Sequence, residues 1–184
     1  MLNKPPNYFT FFIGGLLHGF SFFSSIFIPL SILGHYLLIK GLFCKDRSFN
    51  AMFSGWLFGV GFFLTSMHWI VNPFLIYEEH KILAPFVLFV FPSLMGLFFA
   101  FPCILIKKFI NFPKIYDFFF TKILLISFFI FISEFLRSNI FGGLPFNLYG
   151  HLWIFNENFI KISSFIGVYG LSFLTTLWII TIVL

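Results

Sequence analysis

The stretch ILAPFVLFVFPSLMGLFFAFPCILI, residues 82–106, contains no charged side chain. A helix that crosses a bilayer needs roughly 20 mostly apolar residues, and this run is long enough. The rest of the chain repeats the pattern. Of 184 residues 60% are hydrophobic and only 9% are charged, and the mean hydropathy is +1.02. A soluble domain averages about 25% charged residues. Eleven Lys and Arg with six Asp and Glu could not cover the surface of a water-soluble fold of this size. The class is an all-α, polytopic membrane bundle.

Six apolar runs are expected to span, at roughly 8–24, 26–43, 51–71, 82–106, 116–136 and 160–184. The first two are separated only weakly, around Phe23 to Pro29, so a tight turn or re-entrant bend is expected there. The first run starts near Tyr8 behind the single Lys4 and feeds directly into further spans, so it reads as a retained helix and not a cleaved signal. Cytoplasmic loops carry the Lys and Arg excess. Lys4, Lys40, Lys45, Arg47, Lys107, Lys108, Lys114 and Lys122 fall on one side. Lys81, Arg137 and Lys161 fall on the other, each near an acid. The amino terminus is therefore expected in the cytoplasm, with residues 72–81 and 138–159 facing outward.

The net charge of +5 reflects these loop residues. There is no basic stripe with interleaved stacking aromatics, so no nucleic-acid partner is expected. The 35 Phe residues carry no functional meaning of their own. Cys44 and Cys103 lie far apart, outside any ligand spacing, and read as small apolar residues. Gly15/Gly19 and Gly55/Gly59 are GxxxG spacings, expected to pack helices within the chain.

The polar, irregular part of the chain is SEFLRSNIFGGLPFNLYGHLWIFNENFIKISSFIGVYGLSFL, residues 133–174. Glu134 and Arg137 lie three apart, on one face of a helix. They read as an ion pair, or as a site for a lipid headgroup or docking domain. Gly142, Gly143 and Pro145 exclude continuous helix. The aromatic Phe146, Tyr149 and Trp153, with Gly150 and His151, suit the membrane interface. Two readings stand side by side: a structured loop resting on the bilayer, or a wall of a lipid-entry site. His18, His35, His68, His80 and His151 show no dense ligand spacing, so no metal or haem site, and no cofactor, is expected. Covalent catalysis needs a nucleophile beside a base and an oxyanion stabiliser. No GxSxG and no outward-facing Cys is present, so no catalytic residue is assigned.

These segments together resemble the bacterial apolipoprotein N-acyltransferases. AMFSGWLFGVGFFLTSMHWI at 51–70 is similar to the family's third span, Gly-Trp-x-x-Gly-x-Gly-x-Phe ending in Trp plus an aliphatic residue. Glu134 and Arg137 match its Glu-x-x-Arg, and Gly143-Leu144-Pro145-Phe146 and Tyr149-Gly150 match its turn and Gly-Tyr region. Gly167, Val168, Phe173 and Leu174 match its entry to span 6. Leu144 and Phe146 stand where the family has an aromatic residue and Trp.

The resemblance implies an inner-membrane enzyme that moves an acyl chain from a phospholipid to the amine of a lipoprotein's diacylated N-terminal Cys. In the family a nitrilase-like domain between spans 7 and 8 carries the Cys nucleophile, a Glu base and a Lys. No residue here matches those three. The 184 residues are therefore expected to be one N-terminal transmembrane domain, ending at about span 6 in TTLWIITIVL. Alone it would be inactive, anchoring and shaping a lipid portal. The implied partners are membrane phospholipid and the lipoprotein substrate. In a third reading the rest of the enzyme is a separately encoded nitrilase-like domain that pairs with this chain. The alternative is a complete six-span transporter-like or scaffold protein.

Overall fold

The computed structural model describes residues 6–44, 50–110, 118–140 and 143–184. Lys4, Lys45, Arg47, Lys114 and Gly142, used above, lie outside the described residues. Among the described residues the helices are α1 (Tyr8–Phe20), α2 (Ile28–Leu42), α3 (Ala51–Ser66), α4 (Ala84–Met95), α5 (Leu97–Ile110), α6 (Phe119–Asn139) and α7 (Glu157–Val183). Short 3-10 segments lie at Ser25–Phe27, His68–Leu75, Glu78–Leu83 and Tyr149–Trp153. Among the described residues there is no strand.

Local chemistry sets the helix starts. The Asn7, Asn50 and Asn156 side chains accept from Phe9, Phe53 and Asn158 backbone N–H groups at 3.2, 3.0 and 3.1 Å, satisfying donors that a helix N-terminus leaves bare. Pro29 and Pro85 sit in the first turns of α2 and α4, where a missing N–H costs nothing. The expected tight turn near Phe23 is the 3-10 segment Ser25–Phe27.

Among the described residues four helical runs are long and apolar enough, by length and composition alone, to cross a membrane: Ser25–Leu42, Glu78–Ile110, Phe119–Asn139 and Glu157–Val183. A fifth arises if α3 and His68–Leu75, bent by 52°, count together. The bend falls at Met67, where the backbone leaves helical geometry at φ −124°, ψ 21°. Helix α1, with 13 residues, is shorter than a full crossing.

Glycines set the spacing of the bundle. A Cβ on Gly15 would run into the Phe58 carbonyl, and one on Gly59 would lie 2.6 Å from Gly96 Cα. The GxxxG residues thus bring α1 onto α3 and α3 onto the α4–α5 junction, within the chain, as small residues do in lipid. Phe11, Phe58, Phe62, Phe63, Phe99 and Ile126 fill the core between them.

The break in α7 corrects the expected sixth span. At Gly167 the backbone turns to φ 72°, ψ 167°, a conformation open to glycine. The Trp153 ring lies 4.0 Å from Phe159 and 5.5 Å from Trp178. Those two rings are therefore about 10 Å apart at most. Nineteen residues of unbroken helix would separate them by about 28 Å. The limb 157–166 is folded back along the limb 168–183, so 160–184 is not one straight span. Little in the sequence signals the reversal, because glycine is common inside membrane helices and Gly167 alone does not mark a break.

Candidate functional site: a buried polar chain under the 143–153 segment

The limb 168–183 packs against α6. Phe173 meets Phe131 at 5.4 Å and Tyr169 meets Phe135 at 5.3 Å. This places Gly167 level with Arg137, at one end of the bundle. From there the chain after α6 turns inward.

Gly143 (φ 78°) makes the turn, and a Cβ there would strike the Ser138 carbonyl. The Arg137 guanidinium donates from Nη1 to the carbonyls of Leu144 at 2.7 Å and Phe146 at 2.9 Å, and it covers the Phe63 ring at 5.3 Å. The Asn147 side chain donates to the Ser66 carbonyl at 3.1 Å, with φ 52°. Asn is one of the few non-glycine residues that tolerate that region.

Glu134 accepts from the Tyr149 backbone N–H at 2.6 Å, and Ser172 accepts from Gly150 N–H at 2.8 Å. The expected ion pair is therefore corrected: among the described residues the pair within 4.0 Å is Lys81 with Glu78. Glu134 and Arg137 each bind the segment's backbone instead. Burial in an apolar bundle leaves its polar groups without water, so the two charged side chains supply the missing partners.

Tyr149 reaches furthest inward. Its hydroxyl is 2.7 Å from His35 Nε2, and His35 Nδ1 is 2.8 Å from the Ser31 carbonyl. A carbonyl only accepts, so Nδ1 carries the hydrogen. In the neutral ring Nε2 then accepts from Tyr149. His18 Nδ1 pairs with Ser31 Oγ at 2.8 Å, and its ring packs 4.6 Å from both His35 and Phe62. A connected polar chain runs through the core from α1 and α2 to Tyr149 and Glu134. Beside it lies a cavity of about 20 Å³, lined by Phe62, Phe98, Ser133, Glu134, Arg137 and Tyr149.

Of the residues singled out in sequence, Glu134, Arg137 and Tyr149 are brought together and buried. Pro145 and Phe146 are exposed, with Phe146 edge-on to Trp69 at 5.8 Å. Trp153 turns aside to donate to Thr175 at 2.8 Å. His151 is half-buried and accepts from Leu148 N–H at 3.3 Å. Burial, and then the nearby Arg137 guanidinium, hold it below the usual imidazole range. Leu148, Tyr149, Gly150 and Leu152 are buried, so this part does not rest on a surface. Sequence reasoning missed His18, Ser31, His35, Asn147 and Ser172 as partners. The available signal was histidine inside apolar runs, since a buried polar ring needs a partner. Among the described residues no group of three or more His, Cys, Asp or Glu is placed to hold a metal ion.

An apolar bundle of membrane-crossing helices around a buried hydrogen-bonded chain defines a multi-pass membrane protein with a built polar centre. Comparison with known proteins gives the family. Residues 8–180 match the family described as the apolipoprotein N-acyltransferase N-terminal domain, and the chain belongs to it. It is 32% identical to the apolipoprotein N-acyltransferase of Rickettsia bellii (strain RML369-C), over 87% of this chain and 31% of that protein. With the Rickettsia prowazekii (strain Madrid E) protein of the same name the identity is 35%, over 87% and 31%. With that of Brucella suis biovar 1 (strain 1330) it is 28%, over 64% and 21%. The chain spans about a third of the length of the Rickettsia relatives it matches. No solved structure matches it.

Proposed function

We propose that this chain is the N-terminal transmembrane domain, residues 1–184, of an apolipoprotein N-acyltransferase of the bacterial inner membrane. The parent reaction is phospholipid-dependent N-acylation of a lipoprotein's diacylglyceryl-Cys. The chain anchors the enzyme and shapes a lipid portal, and the nucleophile belongs to a nitrilase-like domain, in the same polypeptide or encoded separately. The supporting observation is a shared wall. A groove of about 410 Å³, lined by Leu94, Met95, Leu97, Phe101, Phe98 and Ser133, shares those last two residues with the cavity under Glu134 and Arg137. Leu94, Leu97 and Phe101 are exposed, so an acyl chain entering from the bilayer would lie beside the polar centre. In this reading the amino terminus is cytoplasmic, six segments cross or enter the bilayer, and residues 72–81 face outward.

The test replaces the matching membrane part of the Rickettsia prowazekii enzyme with this chain. The chimera is expected to N-acylate a diacylated lipopeptide, while the 184-residue chain alone does not. A membrane-inserted, folded chimera with no activity, or activity from the chain alone, would overturn the reading.

A further inference from the structure

Among the described residues three buried side-chain atoms have no hydrogen-bond partner: His18 Nε2, Ser127 Oγ and Glu134 Oε2. Of these residues Glu134 lines the cavity of about 20 Å³. Its other oxygen, Oε1, accepts from the Tyr149 N–H at 2.6 Å. Ser172 also stands near the carboxylate but does not line the cavity. A carboxylate offers about four lone-pair sites, so the cavity side of this one is open to a donor. Glu134 is only 6% exposed, and a buried charge left without partners is costly.

Arg137, 4% exposed, lines the same cavity. Spacing of i, i+3 puts the two charges on one helix face, yet they do not meet within 4.0 Å. The guanidinium has five N–H donors. Nη1 serves the Leu144 and Phe146 carbonyls, which leaves Nε and Nη2 for another acceptor. The remaining polar groups of the lining are spent elsewhere. The Asn147 amide donates to the Ser66 carbonyl. The Ser133 hydroxyl donates to the Phe98 carbonyl, which loses its helical partner because Pro102, four residues on, has no N–H. Phe98, Pro102 and Ser133 thus wall the cavity on the α5–α6 side.

Size and charge select the guest. One water needs a cavity of about 10–15 Å³, so about 20 Å³ admits one water and excludes a lipid headgroup. A cation would face the Arg137 guanidinium, and hard cations want about six oxygen ligands, more than this lining supplies. An anion would face Glu134. A neutral guest of water size that both donates and accepts satisfies both sides at once.

We infer that the cavity is a binding site for one internal water, which donates to Glu134 Oε2 and accepts from the Arg137 guanidinium. The two charges are then joined through the water and not by direct contact, and the water completes the polar chain that holds residues 143–149. This stands on the cavity and its two charged residues and does not depend on the acyltransferase reading.

The test is X-ray hydroxyl-radical footprinting of the 184-residue chain in nanodiscs, read by mass spectrometry. X-rays split a bound water in place, so a buried side chain is oxidised only where water sits beside it. Phe62 and Tyr149, 1 and 2% exposed, border the cavity, whereas Phe11, 0% exposed, lies in the core away from it. Phe62 and Tyr149 are expected to oxidise severalfold faster than Phe11. Ile130→Phe, which fills the cavity, should bring both rates down to that of Phe11. Glu134→Gln keeps an oxygen for the Tyr149 N–H but turns a donor toward the cavity, and should lower both rates at least twofold. Circular dichroism checks that each variant folds, and if Ile130→Phe does not, Glu134→Gln decides. Rates at Phe62 and Tyr149 no higher than at Phe11, or high rates that the folded variants leave unchanged, would overturn the inference.

Discussion

The hydroxyl of Tyr149 lies 2.7 Å from His35 Nε2, joining two residues 114 apart in the chain. This contact fastens the segment after α6 to the middle of α2, inside the bundle. Tyr149→Phe keeps the ring and removes the donor, leaving a buried acceptor unpaired. Such a loss costs about 1–3 kcal/mol. The expected outcome is a lower unfolding midpoint in detergent, matched by His35→Leu, with the double variant less destabilised than the two losses added together.

Glu134 and Arg137 hold the same segment from the other side through its backbone. Glu134→Gln keeps an oxygen for the Tyr149 N–H and should be mild. Glu134→Ala removes it and should loosen residues 143–153. Limited proteolysis of the chain in nanodiscs would show this, with faster cleavage near Phe146 in the alanine variant alone. Equal cleavage in both variants would mean that the carboxylate does not seat the segment.

Two glycines are expected to fail for opposite reasons. Gly59→Ala puts a Cβ 2.6 Å from Gly96 Cα, where backbone cannot yield, and overpacking of this kind costs about 1–3 kcal/mol. Gly167→Ala meets nothing within 4 Å, yet φ 72° with ψ 167° lies in a region essentially restricted to glycine, at a cost of about 1–3 kcal/mol. Gly167→Asn should lose as much as Gly167→Ala, because asparagine tolerates the left-handed α region but not ψ near 167°. Gly59→Asn should lose more than Gly59→Ala by adding bulk against the same backbone, as read from thermal unfolding midpoints.

His151 gives a pH dependence. Its pKa is lowered in the folded chain, by burial and then by Arg137. The unfolded chain then binds more protons near its ordinary pKa of about 6.5. Stability from this residue is present above that pH and is lost as pH falls through it toward the lowered value. Wild type should lose more unfolding temperature between pH 7.5 and pH 5 than His151→Asn. An identical loss in both would exclude the residue.

What could be read from the chain and what could not divides along physical lines. The apolar runs, the GxxxG spacings and the isolated charges Glu134 and Arg137 are local signals, and the structure uses each of them. The partners of those charges are not local. Nothing near Glu134 in sequence indicates that it accepts from Tyr149 N–H, and i, i+3 spacing pointed to Arg137 instead. His18 and His35 were legible as polar residues in apolar surroundings, but their meeting depends on how closely α1 and α2 pack. The reversal at Gly167 was hidden because a glycine inside an apolar run is ordinary in a membrane helix, and its positive φ is a property of the fold and not of the sequence.

The two bonds from Arg137 to the Leu144 and Phe146 carbonyls make that side chain a ruler. It measures the contour of chain between the end of α6 and the inward-turning segment. Only a connection of this length brings both carbonyls to one guanidinium nitrogen while Tyr149 reaches α2. Inserting or deleting a residue between Arg137 and Leu144 should therefore throw the segment out of register, even where the substitution of a single residue is tolerated.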